Sequence, residues 1–200
     1  YGFRISVLFG LILTIVSTVV GVLAGAVQGF YGGWTDLLFQ RFLEVWGGLP
    51  FLYVLLILSS VVEPGFWTLL GIMLLTSWTW PVGVVRAEFL RARNFEYVRA
   101  AKSMGMSDWR IMTTHILPNA LAPVLVPITF GIASAILIEN GLRFLGFGPA
   151  NTVSWGLLLN EGQRNLENWW LIVFPGAAIF LTVMAYNLIG EGLQEATDPR

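Results

Sequence analysis

The sequence predicts an all-α protein that crosses a membrane several times. Of its 200 residues, 56% are hydrophobic and only 12% are charged, which is about half the charged share of an average soluble domain. The mean hydropathy is +0.73. The apolar residues form stretches of membrane length, and one polar interval holds most of the basic residues. This pattern is typical of a polytopic transmembrane helical bundle.

Five segments are long and apolar enough to span a bilayer as helices, for which about 20 residues are needed. They cover approximately residues 5–30, 37–62, 66–85, 119–138 and 169–189. Four of these spans contain proline, at Pro50, Pro81, Pro123 with Pro127, and Pro175. Kinked helices persist in membranes where neighbours or water satisfy the freed carbonyls. The prolines therefore suggest a bundle around a cavity, although structural kinks alone would give the same pattern.

Glycines recur every four residues along the first span and just beyond it. They are Gly21, Gly25, Gly29 and Gly33. Small residues at this spacing share one helix face and let another helix approach closely. We interpret this ladder as a packing surface in preference to a functional pore.

Several classes of chemistry are excluded or disfavoured by composition. The chain has no cysteine, which excludes disulfides, thiolate metal sites and cysteine nucleophiles. His115 is the single histidine and the carboxylates are scattered, so neither a metal site nor a clustered acid–base set is expected, and the chain is not predicted to be an enzyme. The net charge of −1 gives no basic surface for nucleic acid.

The polar interval from Arg86 to Arg110 sets the predicted orientation. It holds six of the eleven Lys/Arg residues: Arg86, Arg91, Arg93, Arg99, Lys102 and Arg110. With Arg41 and Arg200 this side has eight basic residues, against Arg4, Arg143 and Arg164 on the other. The positive-inside rule then predicts a cytoplasmic interval and a cytoplasmic C-terminus. Five spans place Tyr1 outside, which predicts a further helix upstream.

The polar interval itself is patterned as helix, glycine turn, helix. Asn94 is suited to cap a helix start, and Glu96 suits its first turn. Gly105 fits the left-handed position that follows a helix end. Ser107 with Asp108 then restarts a helix. The pattern predicts an element to which a soluble partner protein binds. The alternative is an amphipathic loop that lies on the lipid surface.

The residues of this interval resemble the EAA loop of ABC importer permeases. The family pattern is Glu-Ala-Ala, three residues, Gly, nine residues, Ile-x-Leu-Pro. Five positions agree at the right spacings: Ala100, Ala101, Gly105, Leu117 and Pro118. Arg99 replaces the Glu of the pattern and His115 replaces its Ile, two positions at which the peptide-importer branch commonly varies.

A second block strengthens this resemblance. Glu139 to Gly148, followed by Ser154-Trp155-Gly156, resembles a segment of the C-type permease of dipeptide and oligopeptide importers. The opening Tyr1 to Ser6 and the stretch Val85 to Leu90 look most like the microcin-C/peptide importer variant. The resemblance covers essentially all 200 residues, and family members usually carry one more N-terminal helix.

The resemblance implies a binding-protein-dependent inner-membrane component with a type I (MetI-like) permease core. The chain would form one domain over 1–200, with a coupling loop over about 93–118. It would provide half of a translocation pathway beside a homologous second permease, as a heterodimer. Two cytoplasmic ATPases would hold ATP and magnesium, and an extracytoplasmic binding protein would deliver the peptide. This chain would bind no cofactor, since the P-loop glycines required before Lys102 and Ser103 are replaced by Ala101 and Glu96.

The resemblance also implies which residues couple to the ATPase. The EAA helix would sit in a groove on an ATPase, and the coupling residues are Glu96, Tyr97, Arg99, Ala100, Ala101, Gly105, Leu117 and Pro118. Because Arg99 and His115 depart from the family pattern, the polar contacts of the helix with the ATPase stay open.

Three further residues are candidates for a gate or pathway: Glu139, Trp78 and Trp80. A carboxylate within a span is by default a functional candidate, but Glu139 could equally pair with Arg143 four residues on, and we favour that structural role. Both tryptophans could instead be interfacial anchors.

The sequence leaves alternatives to a peptide importer open. The transported solute could be a nickel chelate, an opine or a sugar. A secondary transporter would be expected to show an inverted repeat and charges in the middle of the membrane, and neither is evident. An integral membrane enzyme would need a clustered catalytic set that the sequence does not offer.

Overall fold

The structure is a computed structural model that describes residues 2–63, 65–148 and 152–197, where the chain forms helices and turns but no strand. Tyr1 and Arg200, whose sides of the membrane are predicted above, lie outside these ranges. The predicted all-α class is confirmed. The helices are α1 (Gly2–Tyr31), α2 (Gly33–Gly47), α3 (Phe51–Val61), α4 (Phe66–Ser77), α5 (Thr79–Ala92), α6 (Glu96–Ser103), α7 (Asp108–Arg110), α8 (Leu117–Phe144), α9 (Trp155–Arg164) and α10 (Trp170–Thr197). A π-helical turn, Ile111–Ile116, leads into α8.

The predicted spans are present, with two differences in shape. Among the described residues, four helices are long and apolar enough to cross a membrane: Gly2–Tyr31, Phe66–Ala92, Pro123–Phe144 and Trp170–Ala196. The second predicted span is instead a bent pair, Gly33–Gly47 with Phe51–Leu58, at 67°. Pro50 lies at this break as the residue before α3, where its missing N–H does not interrupt a helix.

The third span is longer than its sequence predicts. It continues to Ala92, so that Arg86 and Arg91 are helical residues of α5 and not part of a loop. The break between α8 and α10 also holds a helix, α9, that the sequence analysis missed. Ser154 caps it, because its Oγ accepts a hydrogen bond from the Leu157 N–H at 3.2 Å. With ten residues, α9 is too short to span.

The glycine ladder is a packing surface, as predicted. A Cβ at Gly21, Gly25 or Gly29 of α1 would lie 2.6–2.7 Å from a backbone oxygen of Trp78, Val82 or Arg86. The two helices are therefore in backbone contact, which only glycine permits at these positions. Gly33 is not part of this contact, since its Cβ would meet nothing within 4 Å, and its φ of +54° places it at the α1–α2 turn.

Two apolar clusters lie at opposite ends of the bundle. We name the end that carries α6 the loop end and the opposite end the far end. The loop-end cluster includes Val85, Phe89, Val98, Ile111 and Ile116. The far-end cluster packs side chains of α1, α3, α4 and α8, among them Phe9, Leu13, Leu55, Leu70 and Ala135. Helix α1 contributes to both clusters and so joins the two ends.

A buried polar cluster fastens the far end. Glu139 and Arg143 of α8 form an ion pair, and both are buried. Glu139 Oε2 accepts a hydrogen bond from Ser6 Oγ of α1 at 2.8 Å. Asn140 accepts from the Gly156 N–H of α9 at 3.0 Å. The favoured pairing of Glu139 with Arg143 is confirmed, and the cluster ties three helices together.

Replacement of Gly25 or Gly29 by alanine should destabilise the bundle, because the added Cβ meets the backbone of α5. Overpacking of this kind costs about 1–3 kcal/mol. Thermal denaturation of the detergent-solubilised full-length protein measures it. Gly83→Ala is the matched control, since a Cβ there would meet nothing within 4 Å. The control should be neutral or stabilising, because alanine is the better helix former. Equal stability of all three variants would contradict the contact.

Glu139→Gln should lower thermal stability, because it leaves the Arg143 guanidinium buried without its countercharge. Breaking a buried pair in this way costs about 3–5 kcal/mol. The double variant Glu139→Gln/Arg143→Met removes the orphaned charge and should recover part of the loss. The same denaturation assay compares the three proteins. A single variant as stable as the wild type would show that the pair does not hold the far end.

Candidate functional site: the coupling loop

The turn between α6 and α7 has the geometry that its sequence predicts. Gly105 has a φ of +76°, in the left-handed region that glycine favours. Its N–H donates to the Lys102 carbonyl at 3.0 Å, and the Met106 N–H donates to the Ala101 carbonyl at 3.1 Å. These two bonds form a Schellman motif, which satisfies the last carbonyls of α6. The turn fixes the direction in which α7 leaves.

The start of α6 differs from its prediction. Asn94 does not cap the helix, since its Nδ2 donates back to the Leu90 carbonyl of α5 at 3.2 Å. The residue before α6 is Phe95, whose side chain makes no capping bond. Glu96 lies in the first turn as expected, where a negative charge is favourable. Asn94 therefore ends α5 and does not begin α6.

Helix α6 has one inward face and one outward face. Val98 and Ala101 are buried in the loop-end cluster. Tyr97 is 40% exposed and Met104 is 74% exposed, while Glu96, Arg99 and Ala100 also face outward. Of the two predicted coupling alanines, only Ala100 is thus open to a partner. The small side chain of Ala101 is explained by packing within the chain itself.

The basic residues of the interval divide into two sets. Arg86 binds Asp36 of α2 through both carboxylate oxygens, at 2.5 and 2.7 Å. Arg93 Nη1 donates to the Phe30 carbonyl at 3.4 Å, at the C-terminal end of α1, where a cation is favourable. Lys102 Nζ lies 4.7 Å from the ring centre of Phe30. These three residues connect the loop to α1 and α2.

The remaining three basic residues face outward. Arg91, Arg99 and Arg110 are exposed, and Arg91 lies over the Phe95 ring at 5.8 Å. Exposed beside them are four large apolar side chains, which we name the coupling ridge: Phe95, Tyr97, Met104 and Trp109. Only Tyr97 of these was predicted from sequence as a coupling residue. The available signal was the presence of large apolar residues in an otherwise polar interval.

Leu117 and Pro118 lie at the base of the loop. Leu117 packs against the loop-end cluster, and Pro118 is exposed in the first turn of α8. Proline offers no N–H to the preceding turn, and that turn is the π-helix Ile111–Ile116. The pair shapes the junction between the loop and α8.

The three pathway candidates occupy different places. A cavity of about 250 Å³ lies between α1, α4, α5 and α8, and Trp80 lines it together with hydroxyls that include Ser17 and Ser77. Trp78 instead stacks on Phe42 of α2, with ring centres 6.4 Å apart. Glu139 is buried in the far-end polar cluster and does not line this cavity. A pathway role for each of the three stays a prediction.

Within the part of the chain that the structure describes, no group of three or more His, Asp or Glu side chains could hold a metal ion. What the loop presents chemically is an apolar and cationic surface on a helix that is fixed to the bundle. This arrangement suits binding to another protein more than it suits catalysis.

Comparison with known proteins places the chain in a family. Residues 6–200 match the family described as binding-protein-dependent transport system inner membrane component. The chain is 53% identical to the peptidoglycan transport system permease protein YejE of Agrobacterium fabrum and 52% identical to the inner membrane ABC transporter permease protein YejE of Escherichia coli. It is 37% identical to the dipeptide transport system permease protein DppC of Bacillus subtilis. Each alignment covers all of this chain. The aligned region makes up 53%, 59% and 63% of the length of the three relatives, respectively.

Solved structures show the same fold. The MetNI methionine ABC transporter in an inward-facing conformation matches with a TM-score of 0.78 at 14% identity, over 99% of this chain and 95% of that one. An amino acid ABC transporter crystallised with histidines matches with a TM-score of 0.65 at 17% identity. That match covers 94% of this chain and 91% of the other. The predicted type I permease fold is therefore confirmed. The chain belongs to the family of binding-protein-dependent transport system inner membrane components.

Proposed function

We propose that this chain is a permease subunit of an ATP-driven ABC importer for peptides and forms half of its translocation pathway. Family membership and full coverage of the chain by permease relatives support this function. The chain spans about half to two thirds of the length of those relatives. Relatives named for dipeptide, oligopeptide and peptidoglycan transport favour a peptide over a nickel chelate, an opine or a sugar.

The coupling ridge is the observation that carries the proposal. It places Tyr97, Met104 and Trp109 on the outside of a loop that the chain itself does not cover. Aromatic and methionine side chains are enriched in the cores of protein interfaces. Arg99 and Arg110 beside them provide a cationic rim. We assign this surface to a groove on an ATPase subunit.

The attachment of α6 to the bundle explains how ATPase closure would reach the membrane. Val98 and Ala101 are buried against the loop-end cluster, and Lys102 and Arg93 contact the C-terminal end of α1. A displacement of α6 must therefore move α1 or break these contacts. Interfaces of this kind switch between discrete arrangements more readily than they deform continuously.

The remaining partners and the orientation follow from the same proposal. A homologous second permease would complete the pathway as a heterodimer, two cytoplasmic ATPases would bind ATP and magnesium, and an extracytoplasmic binding protein would deliver the solute. The chain would lie in the inner membrane with the coupling loop and the C-terminus in the cytoplasm, the side favoured by its basic residues. The chain itself would catalyse no reaction and bind no cofactor or nucleic acid.

Gly105→Glu should abolish uptake of a labelled peptide by the full-length transporter while membrane insertion stays intact. A Cβ at Gly105 would meet nothing within 4 Å, so the damage comes from the left-handed backbone, which costs about 1–2 kcal/mol, and from a charge at the docking surface. The ATPases should also be lost from an affinity pull-down. Gly105→Asn is the matched control, because asparagine tolerates this conformation without a charge. Normal uptake by the glutamate variant would refute the docking proposal.

Trp109→Ala should weaken binding of the ATPase subunits at least tenfold, about 1.4 kcal/mol, because a tryptophan anchor in an interface commonly contributes that much or more. Titration of the purified permease pair with the ATPases measures the loss. Trp169→Ala is the matched control, since Trp169 is 58% exposed against 60% for Trp109 and lies at the far end. Equal losses in the two variants would show that the ridge is not the docking surface.

A further inference from the structure

An exposed ion pair lies on α2, away from the coupling loop. Arg41 Nη1 contacts Glu44 Oε2 at 2.5 Å, and the two side chains are 69% and 56% exposed. None of the α2 residues is fully buried, so the chain itself covers this helix only in part. Helix α2 is also the first half of a bent helix pair that is long and apolar enough to cross a membrane.

The position of α2 along its neighbours gives the depth of the pair. Near its start, Asp36 binds Arg86 at the loop end. Further on, the Phe42 ring stacks on Trp78, and Trp46 Nε1 donates to the Leu75 carbonyl at 2.7 Å. Helix α2 therefore runs beside the third span from Arg86 to Leu75, a length of about 16 Å at 1.5 Å per residue.

Arg41 and Glu44 lie between these two levels, about 7 and 12 Å along α2 beyond Asp36. The third span begins at Phe66, and from Phe66 to Arg86 a helix extends about 30 Å, the thickness of the hydrocarbon core of a bilayer. The Asp36–Arg86 pair is thus assigned to one edge of the core, and Arg41 and Glu44 lie within it. Arginine can extend toward the nearer interface. Arg41 does not do so, because it pairs with Glu44, one turn further from the loop end.

Charged side chains within a membrane span face a protein partner or water and avoid lipid. We propose that the Arg41–Glu44 face of α2 lines a water-filled pathway through the membrane and is its charged contact for a zwitterionic solute. Arg41 would contact a carboxylate of that solute and Glu44 an ammonium group. This inference rests on the proposed transport function. It adds a site to it, at Arg41, which the sequence analysis counted with the basic residues of the cytoplasmic side.

The exposure of the pair supports water in preference to a dry interface with the second permease. Both side chains are more than half exposed while already paired with each other, so they retain surface that a dry contact would have to desolvate at a cost. The break between Gly47 and Phe51, bent by 67°, is compatible with this, because non-helical backbone within a membrane lines a water-filled cavity or is buried in protein.

Cysteine labelling tests the proposal directly, because the chain has no cysteine of its own. Arg41→Cys and Glu44→Cys would be made in the full-length protein, assembled with its partner subunits in membrane fragments open on both sides. The probe is a charged, water-soluble methanethiosulfonate. Leu181→Cys on α10 is the lipid-facing control, since Leu181 is 63% exposed on a long apolar span. Leu166→Cys, in the loop before α10, is the water-exposed control.

We expect labelling at positions 41, 44 and 166 in the native membranes, and labelling at 181 only after denaturation in SDS. Rates at 41 and 44 should exceed that at 181 at least tenfold. Labelling at 166 without labelling at 41 and 44 would overturn the proposal, because it would place the pair in lipid or in a dry interface. Peptide uptake by the unmodified transporter is measured separately. Its absence would refute the transport function even where positions 41 and 44 are labelled.

Discussion

The backbone contact between α1 and α5 is the constraint on which the rest of the structure depends. Gly21, Gly25 and Gly29 bring α1 against the carbonyls of α5 without an intervening side chain. In lipid, apolar surface alone does not drive helices together. Close packing between the helices provides the attraction instead. The contact aligns the C-terminal end of α1 with Arg86 and Arg93, and the position of the coupling loop follows from that alignment.

Helix α1 also connects the two ends of the molecule. At the far end, Ser6 donates to Glu139 in the buried polar cluster. At the loop end, Phe30 lies under Lys102 of α6. A movement of the coupling loop therefore acts on a rigid helix of about 45 Å at 1.5 Å per residue, whose other end is held by α8. This arrangement can carry a displacement from a soluble partner across the bundle.

The fold and the coupling loop were largely predictable from sequence, because their signals are local. Apolar length predicts the spans, and a glycine after a helix end predicts the left-handed turn, which the structure has at Gly105 with a φ of +76°. The sequence is silent where tertiary contacts decide. Arg86, Arg93 and Lys102 are counted from sequence only as basic residues of the polar interval, whereas Asp36 and Phe30 contact them from distant parts of the chain. Ala101 is predicted to couple to the ATPase, and its side chain is buried in the loop-end cluster of the chain itself; the coupling role stays a prediction.

The surroundings of Arg41 show the same limit. The sequence gives its charge and its place in the second span, but not the packing of α2 on the third span through Phe42 and Trp46. Helix α9 was missed because its ten residues carry a mixed composition, and its packing depends on Gly156, where a Cβ would lie 2.1 Å from the Asn140 carbonyl oxygen. Neither feature can be read from one segment alone.

The central claim is that the outer face of α6 docks on an ATPase. Site-specific photocrosslinking tests it most directly, with a benzophenone amino acid at Met104 in the full-length protein in its own membranes. Leu181, on the apolar helix α10, is the control position. We predict a crosslink from position 104 to a P-loop ATPase and none from position 181. Crosslinks from position 104 to lipid alone would contradict the account and make the loop an amphipathic element of the membrane surface.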